Sequence, residues 1–141
     1  MKQSSTIKFI DKMKFDVELN GHHFVIDASE QVGGEDNGPR PKGLMLSALG
    51  GCTGMDVVSI LRKMKVIGYE LSIDVSGELT DEHPKIYHNL TVEYRFTGSD
   101  LPESKIKKAV ELSETRYCGV SEMLRKSAKI NTSIYINREE I

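Results

Sequence analysis

The spacing of hydrophobic and polar residues changes along the chain, and each change predicts a new element. Residues 6–27 are rich in strand-forming residues, and Phe15, Val17 and Leu19 alternate with polar ones. This period of two predicts half-buried strands. Asn20-Gly21 predicts a type I′ hairpin turn, because that turn needs positive φ at both central residues. The chain is therefore expected to open with antiparallel strands.

A long helix is predicted next, over residues 41–67. Pro41 suits a first helical turn because no N–H donor is needed there, and Gly68 suits the C-terminal cap. Residues 43–55 carry no charge, and the apolar residues cover almost the whole circumference. Such a helix is expected to be buried, across a sheet and against a second copy of itself. The charge-free stretch is too short, at about 1.5 Å per residue, to cross a bilayer core of about 30 Å.

The rest of the chain predicts further strands and helices. Asp100–Glu103 resembles a capping box with Pro102 in the first turn of a helix, and that helix is expected to break at Cys118-Gly119. Strands are predicted at 69–79, 85–97 and 130–136, with a short helix ending at Leu124. The order predicts a single α+β domain over residues 1–141, with a mostly antiparallel sheet and a long buried central helix.

Composition excludes several classes of protein. A formal net charge of -2 lacks the basic excess of a nucleic-acid binder or of a protein bound to an anionic membrane. Two cysteines are too few for a disulfide scaffold or a four-thiolate zinc site, and no histidine spacing indicates a metal. No phosphate-binding loop is present, so we expect no bound nucleotide. The first residues lack a signal-peptide pattern, which predicts a cytoplasmic protein.

The two cysteines are the main candidates for chemistry. Cys52 lies in the apolar helix beside Gly50, Gly51 and Gly54, and each glycine costs about 1 kcal/mol relative to alanine in a helix interior. That cost indicates close approach of another helix or of a ligand. Cys52 is either an inert buried thiol or a reactive one, and Cys118 is either a packing residue or its partner. A disulfide between them needs Cα atoms within about 7 Å, or a movement that brings them there.

Arg40 is the first candidate for a cation that activates a thiol. It lies between Pro39 and Pro41, which hold its backbone, and a fixed guanidinium could lower the pKa of Cys52. Arg116 and Arg125 are the alternatives, and an exposed loop arginine without a role is a further interpretation of Arg40.

Two segments resemble a known family. Residues 38–58, from Gly-Pro-Arg-Pro through Gly-Gly-Cys-Thr-Gly, resemble the cysteine-helix signature of the OsmC/Ohr family (osmotically inducible protein C and organic hydroperoxide resistance proteins). Residues 118–121, Cys-Gly-Val-Ser, resemble its second cysteine segment, with Gly119 where proline is common. The order of elements matches as well, so the resemblance covers essentially the whole chain. The Gly-Gly-Cys-Thr version is similar to the less characterised OsmC-like branch.

This resemblance implies an intertwined homodimer and a thiol peroxidase that reduces organic hydroperoxides in oxidative-stress defence, without a prosthetic group. It implies that Cys52 attacks the peroxide and that Cys118 resolves the product into a disulfide, which a small or protein dithiol reduces. The substrate pocket of such a site is expected at Leu49, Gly51, Met55 and Tyr117.

The chain departs from the peroxidase members at two points. Lys42 and Gly43 stand where those members carry a glutamate, and the N-terminal strands contain no arginine. The alternative function is therefore a non-catalytic dimeric protein of the same fold, serving in stress or binding a small ligand.

Overall fold

The computed structural model describes all residues, 1–141, and the chain forms two compact units, residues 1–45 and 46–141. The first unit contains a three-stranded antiparallel sheet in the order β1-β2-β3. Its strands are β1 (Ser5–Asp11), β2 (Lys14–Leu19) and β3 (His22–Ile26). Asn20 and Gly21 have φ of 53° and 77°, and Leu19 pairs with His22. The predicted hairpin is confirmed.

A loop after β3 is organised around the carboxylate of Asp27, which is 3% exposed. This carboxylate accepts hydrogen bonds from the backbone N–H groups of Ala28, Glu35 and Asn37, at 2.8, 3.1 and 3.1 Å. Burial raises the pKa of Asp27, but the three N–H donors outweigh burial and leave the pKa below its ordinary value. One short side chain thus fixes the loop that leads to the long helix.

The long helix, α1 (Leu44–Lys63), begins three residues later than predicted. Residues 41–43 form a turn instead, closed by a hydrogen bond from Leu44 N to Pro41 O at 3.1 Å. Gly68 has a φ of 76°, in the left-handed region, but it lies beyond the helix end and precedes the next strand.

Within the single chain, one face of α1 is buried against the sheet, and the expected cover by a second copy stays a prediction. One stripe with a spacing of four residues is buried, consisting of Leu49, Thr53, Val57 and Leu61. Met55, on another face, is 78% exposed. At 20 residues, α1 is also long and apolar enough to cross a membrane, by length and composition alone. The prediction that no segment spans a bilayer considered only the charge-free residues 43–55, and α1 extends beyond them to Lys63.

The second unit contains a four-stranded sheet in the order β4-β5-β6-β7. Its strands are β4 (Tyr69–Leu79), β5 (Tyr87–Gly98), β6 (Lys129–Ile136) and β7 (Glu139–Glu140). The predicted mostly antiparallel arrangement is confirmed, and the β5–β6 pair is parallel. That pair is parallel because two helices connect its strands, and such a crossover returns the chain in the same direction. Every second side chain of β5 enters the core, namely Leu90, Val92, Tyr94 and Phe96.

Two glycines of α1 allow the helix to lie close to β4. A methyl group on Gly50 would come within 2.9 Å of Val75 Cγ2, and one on Gly54 within 2.8 Å of Ile73 Cδ1. A methyl group on Gly51 would meet nothing within 4 Å. Close packing against β4 therefore explains why Gly50 and Gly54, two of the three glycines around Cys52, carry no side chain.

The connection between β5 and β6 consists of α2 (Glu103–Leu112), one π-helical turn (Ser113–Tyr117) and α3 (Gly119–Arg125). The predicted break at Cys118 is confirmed. The predicted capping box is wrong, because Pro102 is the N-cap and no side chain caps α2. Asp100 lies two residues before that cap, with a φ of 52°.

Candidate functional site

The two thiols of the chain lie together in the second unit. The sulfur atoms of Cys52 and Cys118 and a carboxylate oxygen of Asp56 all lie within 4.8 Å of one another. Cys52 and Asp56 are one turn apart on α1, and Cys118 occupies the break before α3. Both cysteines are free; Cys52 is partly exposed, whereas Cys118 is 4% exposed.

Backbone amides after Cys118 hold both sulfur atoms. The N–H of Ser121 donates to Cys118 Sγ at 3.4 Å, and the N–H of Val120 donates to Cys52 Sγ. Cys118 is in an extended conformation, and its own N–H donates to Ser113 O at 2.8 Å, which closes the π-helical turn. The helix break thus brings one sulfur to the other and supplies donors to both.

The surroundings of Cys52 favour the neutral thiol. Burial raises the pKa of Cys52, and Cys118 and the carboxylate of Asp56 raise it further, while the N–H of Val120 lowers it. The net pKa lies above the ordinary value, so Cys52 is protonated at neutral pH. A reactive thiolate here requires an additional positive group.

A chain of buried hydroxyl groups leads to Asp56. Ser113 Oγ donates to Asp56 Oδ2 at 3.0 Å, because a carboxylate can only accept. Ser113 Oγ therefore accepts from Thr53 Oγ1 at 2.7 Å, and Thr53 Oγ1 accepts from Tyr94 OH at 2.6 Å. Burial raises the pKa of Tyr94 well above its ordinary value, which keeps the phenol protonated as the first donor. Each hydroxyl group thus donates to the next group along the chain, which ends at the carboxylate of Asp56.

The arginines singled out in the sequence are engaged in other contacts. Arg40 is exposed in the first unit, and its Nη1 lies 2.6 Å from the carboxylate of Asp36. The guanidinium of Arg116 lies 5.5 Å from the ring centroid of Tyr117. Arg125 donates to a carbonyl of the π-helical turn at 3.2 Å.

The four predicted pocket residues do not line one pocket. Gly51 and Met55 line a groove of about 830 Å³ between α1 and β4. Tyr117 is 54% exposed and borders a different hollow of about 340 Å³, which Asp56 also lines. Leu49 is 1% exposed and belongs to the core.

The sequence reasoning missed Asp56 and the hydroxyl groups behind it. Asp56 had a local signal, because a residue four positions after Cys52 lies on the same helix face. Ser113 and Tyr94 had none, since they come from other elements and meet α1 only in the folded chain.

Comparison with known proteins identifies the family. The sequence model described as OsmC-like protein matches residues 34–133. The chain belongs to the OsmC-like protein family. It is 31% identical to Protein YhfA of Escherichia coli K12 over 128 residues, which cover 90% of this chain and 92% of that protein.

Solved structures agree with this assignment of the OsmC-like chain. A hypothetical protein from Aquifex aeolicus is 26% identical, with a TM-score of 0.85 and coverage of 99% of both chains. The organic hydroperoxide resistance protein OhrB of Bacillus subtilis is 16% identical, with a TM-score of 0.62 and coverage of 96% of this chain and 98% of that one. The second likeness shows the fold alone. The resemblance stated from the two cysteine segments is therefore confirmed, and the family indicates a redox or stress role.

Proposed function

We propose that this OsmC-like protein is a thiol peroxidase that reduces organic hydroperoxides. The observation that supports the proposal is the pair of free thiols within 4.8 Å of each other. The Cys52 thiolate attacks the O–O bond, the alcohol leaves, and Cys52 becomes a sulfenic acid. The Cys118 thiol then displaces water from it to form a disulfide, and an external dithiol reduces the disulfide and is itself oxidised.

Burial supports the assignment of the two roles. Cys52 is partly exposed and can be reached by a peroxide, whereas Cys118 is 4% exposed. A buried thiol beside the oxidised sulfur suits a resolving residue, because it meets the sulfenic acid before other thiols can. A reducing compartment is needed to return the pair to thiols, so we place the protein in the cytoplasm.

Activation of Cys52 is assigned to Arg40 in this proposal. The pKa of Cys52 is raised, and a guanidinium contact would stabilise the thiolate that the attack requires. Arg40 uses Nη1 for Asp36 and for the carbonyl of Gly38, which leaves its other N–H groups free to bind a peroxide or a thiolate.

The hollow beside Asp56 suits the organic part of the substrate. Its apolar lining comes from Ile60, Met64, Leu112 and the ring of Tyr117. We propose that an alkyl or aryl hydroperoxide places its apolar group there. Tyr117 is the one predicted pocket residue that lines this hollow.

We further propose that the protein is a homodimer in which a second copy covers the open face of α1. Met55 and the uncovered backbone of Gly51 lie on this face, in the apolar groove along β4. Exposed apolar side chains that border a groove are often covered by association with another copy. Sedimentation at low micromolar protein should give a dimer, and a stable monomer would contradict the proposal.

Peroxide consumption by wild-type protein and by the two single serine variants tests the peroxidase. With excess dithiol, wild type should consume cumene hydroperoxide, and Cys52→Ser should not. Cys118→Ser should accumulate a sulfenic acid on Cys52, detected by mass spectrometry after trapping with dimedone. The control is Ser127→Ala, at a position after α3 that lies outside the thiol cluster.

Two outcomes would contradict the assignment. A sulfenic acid that forms only on Cys118 in the Cys52→Ser protein would reverse the two roles. If wild type consumes no hydroperoxide, the non-catalytic ligand-binding function replaces the peroxidase. The raised pKa of Cys52 would then explain why the thiol does not attack the peroxide.

A further inference from the structure

Cys52, Asp56 and Cys118 form a cluster of three possible metal ligands, two sulfur atoms and a carboxylate oxygen, within 4.8 Å of one another. Tetrahedral zinc binds thiolate sulfur at about 2.3 Å and carboxylate oxygen at about 2.0–2.2 Å. Ligand atoms around one such ion are therefore about 3.5–3.8 Å apart. Side-chain movements of about an ångström would bring the three atoms to these separations. We propose that this cluster binds a zinc ion, with water as the fourth ligand.

The chemistry of the donors selects zinc over harder cations. Calcium and magnesium prefer sets of oxygen ligands, whereas two thiolates with one carboxylate suit zinc. Three protein ligands and one open position are the arrangement that zinc adopts where a fourth ligand can exchange. Histidine is not required, and for this reason the spacing of histidines and cysteines in the sequence predicts no metal.

The charge of the cluster is also suited to a cation. When zinc binds, the two thiols release their protons, and two thiolates with one carboxylate carry three negative charges against two positive ones. Asp56 accepts a hydrogen bond from Ser113 Oγ, which is a neutral donor and leaves the charge of the carboxylate unpaired. The cation would therefore offset the negative charge that the two thiols acquire when they release their protons.

Hydrogen bonds around the cluster already hold the ligand atoms as outer-sphere partners of a metal do. Val120 N–H donates to Cys52 Sγ, and Ser121 N–H donates to Cys118 Sγ. Ser113 Oγ orients the carboxylate of Asp56 and is itself held by Thr53. Such partners fix ligand orientation and contribute strongly to metal affinity.

Zinc at this position would compete with oxidation. A thiolate that donates its electron pair to zinc is less available to attack a peroxide, and two zinc-bound sulfurs cannot form a disulfide. The inference does not depend on peroxidase activity, because metal binding is measured without any peroxide.

Titration of the reduced protein with Zn²⁺ and Co²⁺ tests the site. One equivalent of Zn²⁺ should bind per chain in competition with a chromophoric chelator, and Co²⁺ should give a near-ultraviolet thiolate charge-transfer band. Cys52→Ser and Cys118→Ser should each weaken the band, and the double variant should lack it. Asp56→Asn should weaken zinc binding by at least about tenfold.

Matched controls separate the site from general effects. Asp74→Asn removes an exposed carboxylate that pairs with Arg95 and should leave zinc affinity unchanged. Because Cys118 is buried and its serine variant could fold poorly, wild-type protein oxidised to the Cys52–Cys118 disulfide provides a second test and should lose zinc binding.

Three results would overturn the proposal. Equal zinc affinity of wild type and the Cys52→Ser/Cys118→Ser double variant would place the metal elsewhere. A Co²⁺ spectrum without a thiolate band would do the same. Equal zinc affinity of wild type and Asp56→Asn would remove Asp56 from the ligand set.

Discussion

The two compact units bury their apolar side chains to very different extents. In residues 1–45, Val17 is the one buried apolar side chain, and Ile7 and Phe9 on β1 are 53% and 58% exposed. Residues 46–141 contain the hydrophobic core, in which Tyr94 and Phe96 are at most 1% exposed. The thiols lie in the well-packed unit, whereas Arg40 lies in the poorly packed one. The first unit depends on strand pairing and on the loop around Asp27.

The largest expected effect comes from the core of the second unit. Phe96→Ala should lower the free energy of unfolding by about 3–5 kcal/mol, since it removes a fully buried ring. Phe9→Ala, the matched change on β1, should cost about 1 kcal/mol or less. Chemical denaturation of both variants measures the difference. Equal costs would show that β1 is covered in solution, and the contrast between the units would not hold.

Arg40→Met tests the catalytic role proposed for Arg40. Loss of the guanidinium should slow peroxide consumption by about 10- to 100-fold, which corresponds to about 1.4–2.8 kcal/mol, without unfolding the protein. Steady-state kinetics and circular dichroism measure the two properties, with Lys42→Met as a control for charge in the same loop. If Arg40→Met has the activity of wild type, Arg40 is an exposed loop residue without a catalytic role.

The glycines of α1 distinguish packing within the second unit from association between copies. Gly50→Ala should cost about 1–2 kcal/mol at every protein concentration, because its methyl group meets Val75. Gly51→Ala should leave the single chain unstrained and weaken the dimer, since nothing in the chain approaches that position. Thermal denaturation and sedimentation over a range of concentrations measure both effects. A Gly51→Ala protein with an unchanged dimer would place the interface elsewhere.

The smallest effect is the acid sensitivity of the first unit. The pKa of Asp27 is lowered in the folded protein, so its carboxylate stabilises the fold above the unfolded value of about 3.9. This contribution is lost as the pH falls through the lower, folded pKa. Asp27→Asn should reduce Tm at pH 7, and the difference from wild type should shrink below pH 4. A difference that stays constant from pH 7 to pH 3 would contradict this role.

Local signals predicted the fold well where the determining residues are neighbours in sequence. Asn20-Gly21 predicted its hairpin, because positive φ at two adjacent residues is a property of those residues. The alternating side chains predicted β4 and β5. The start of α1 and the cap of α2 were misplaced, because both Pro41 and Pro102 fit a first helical turn and lie just before the helices instead.

The candidate site was predictable only in part. Its two cysteines were found from their sequence context, but they are 66 positions apart, and only the π-helical turn and the break after it bring Cys118 to Cys52. The sequence also did not indicate that β4 packs against the glycines of α1, because the two elements meet only in the folded chain.

The hydroxyl chain that ends at Asp56 makes Tyr94 an optical reporter of the site. Each hydroxyl group has a single hydrogen to donate. A proton or a cation on the carboxylate therefore changes the hydrogen bond from Ser113, and with it the bonds from Thr53 and from the phenol of Tyr94. The protein contains five tyrosines and no tryptophan, so tyrosine dominates its near-ultraviolet absorption. Difference absorption of the unlabelled protein should therefore register events at the thiol pair, with Tyr94→Phe as the silent reference.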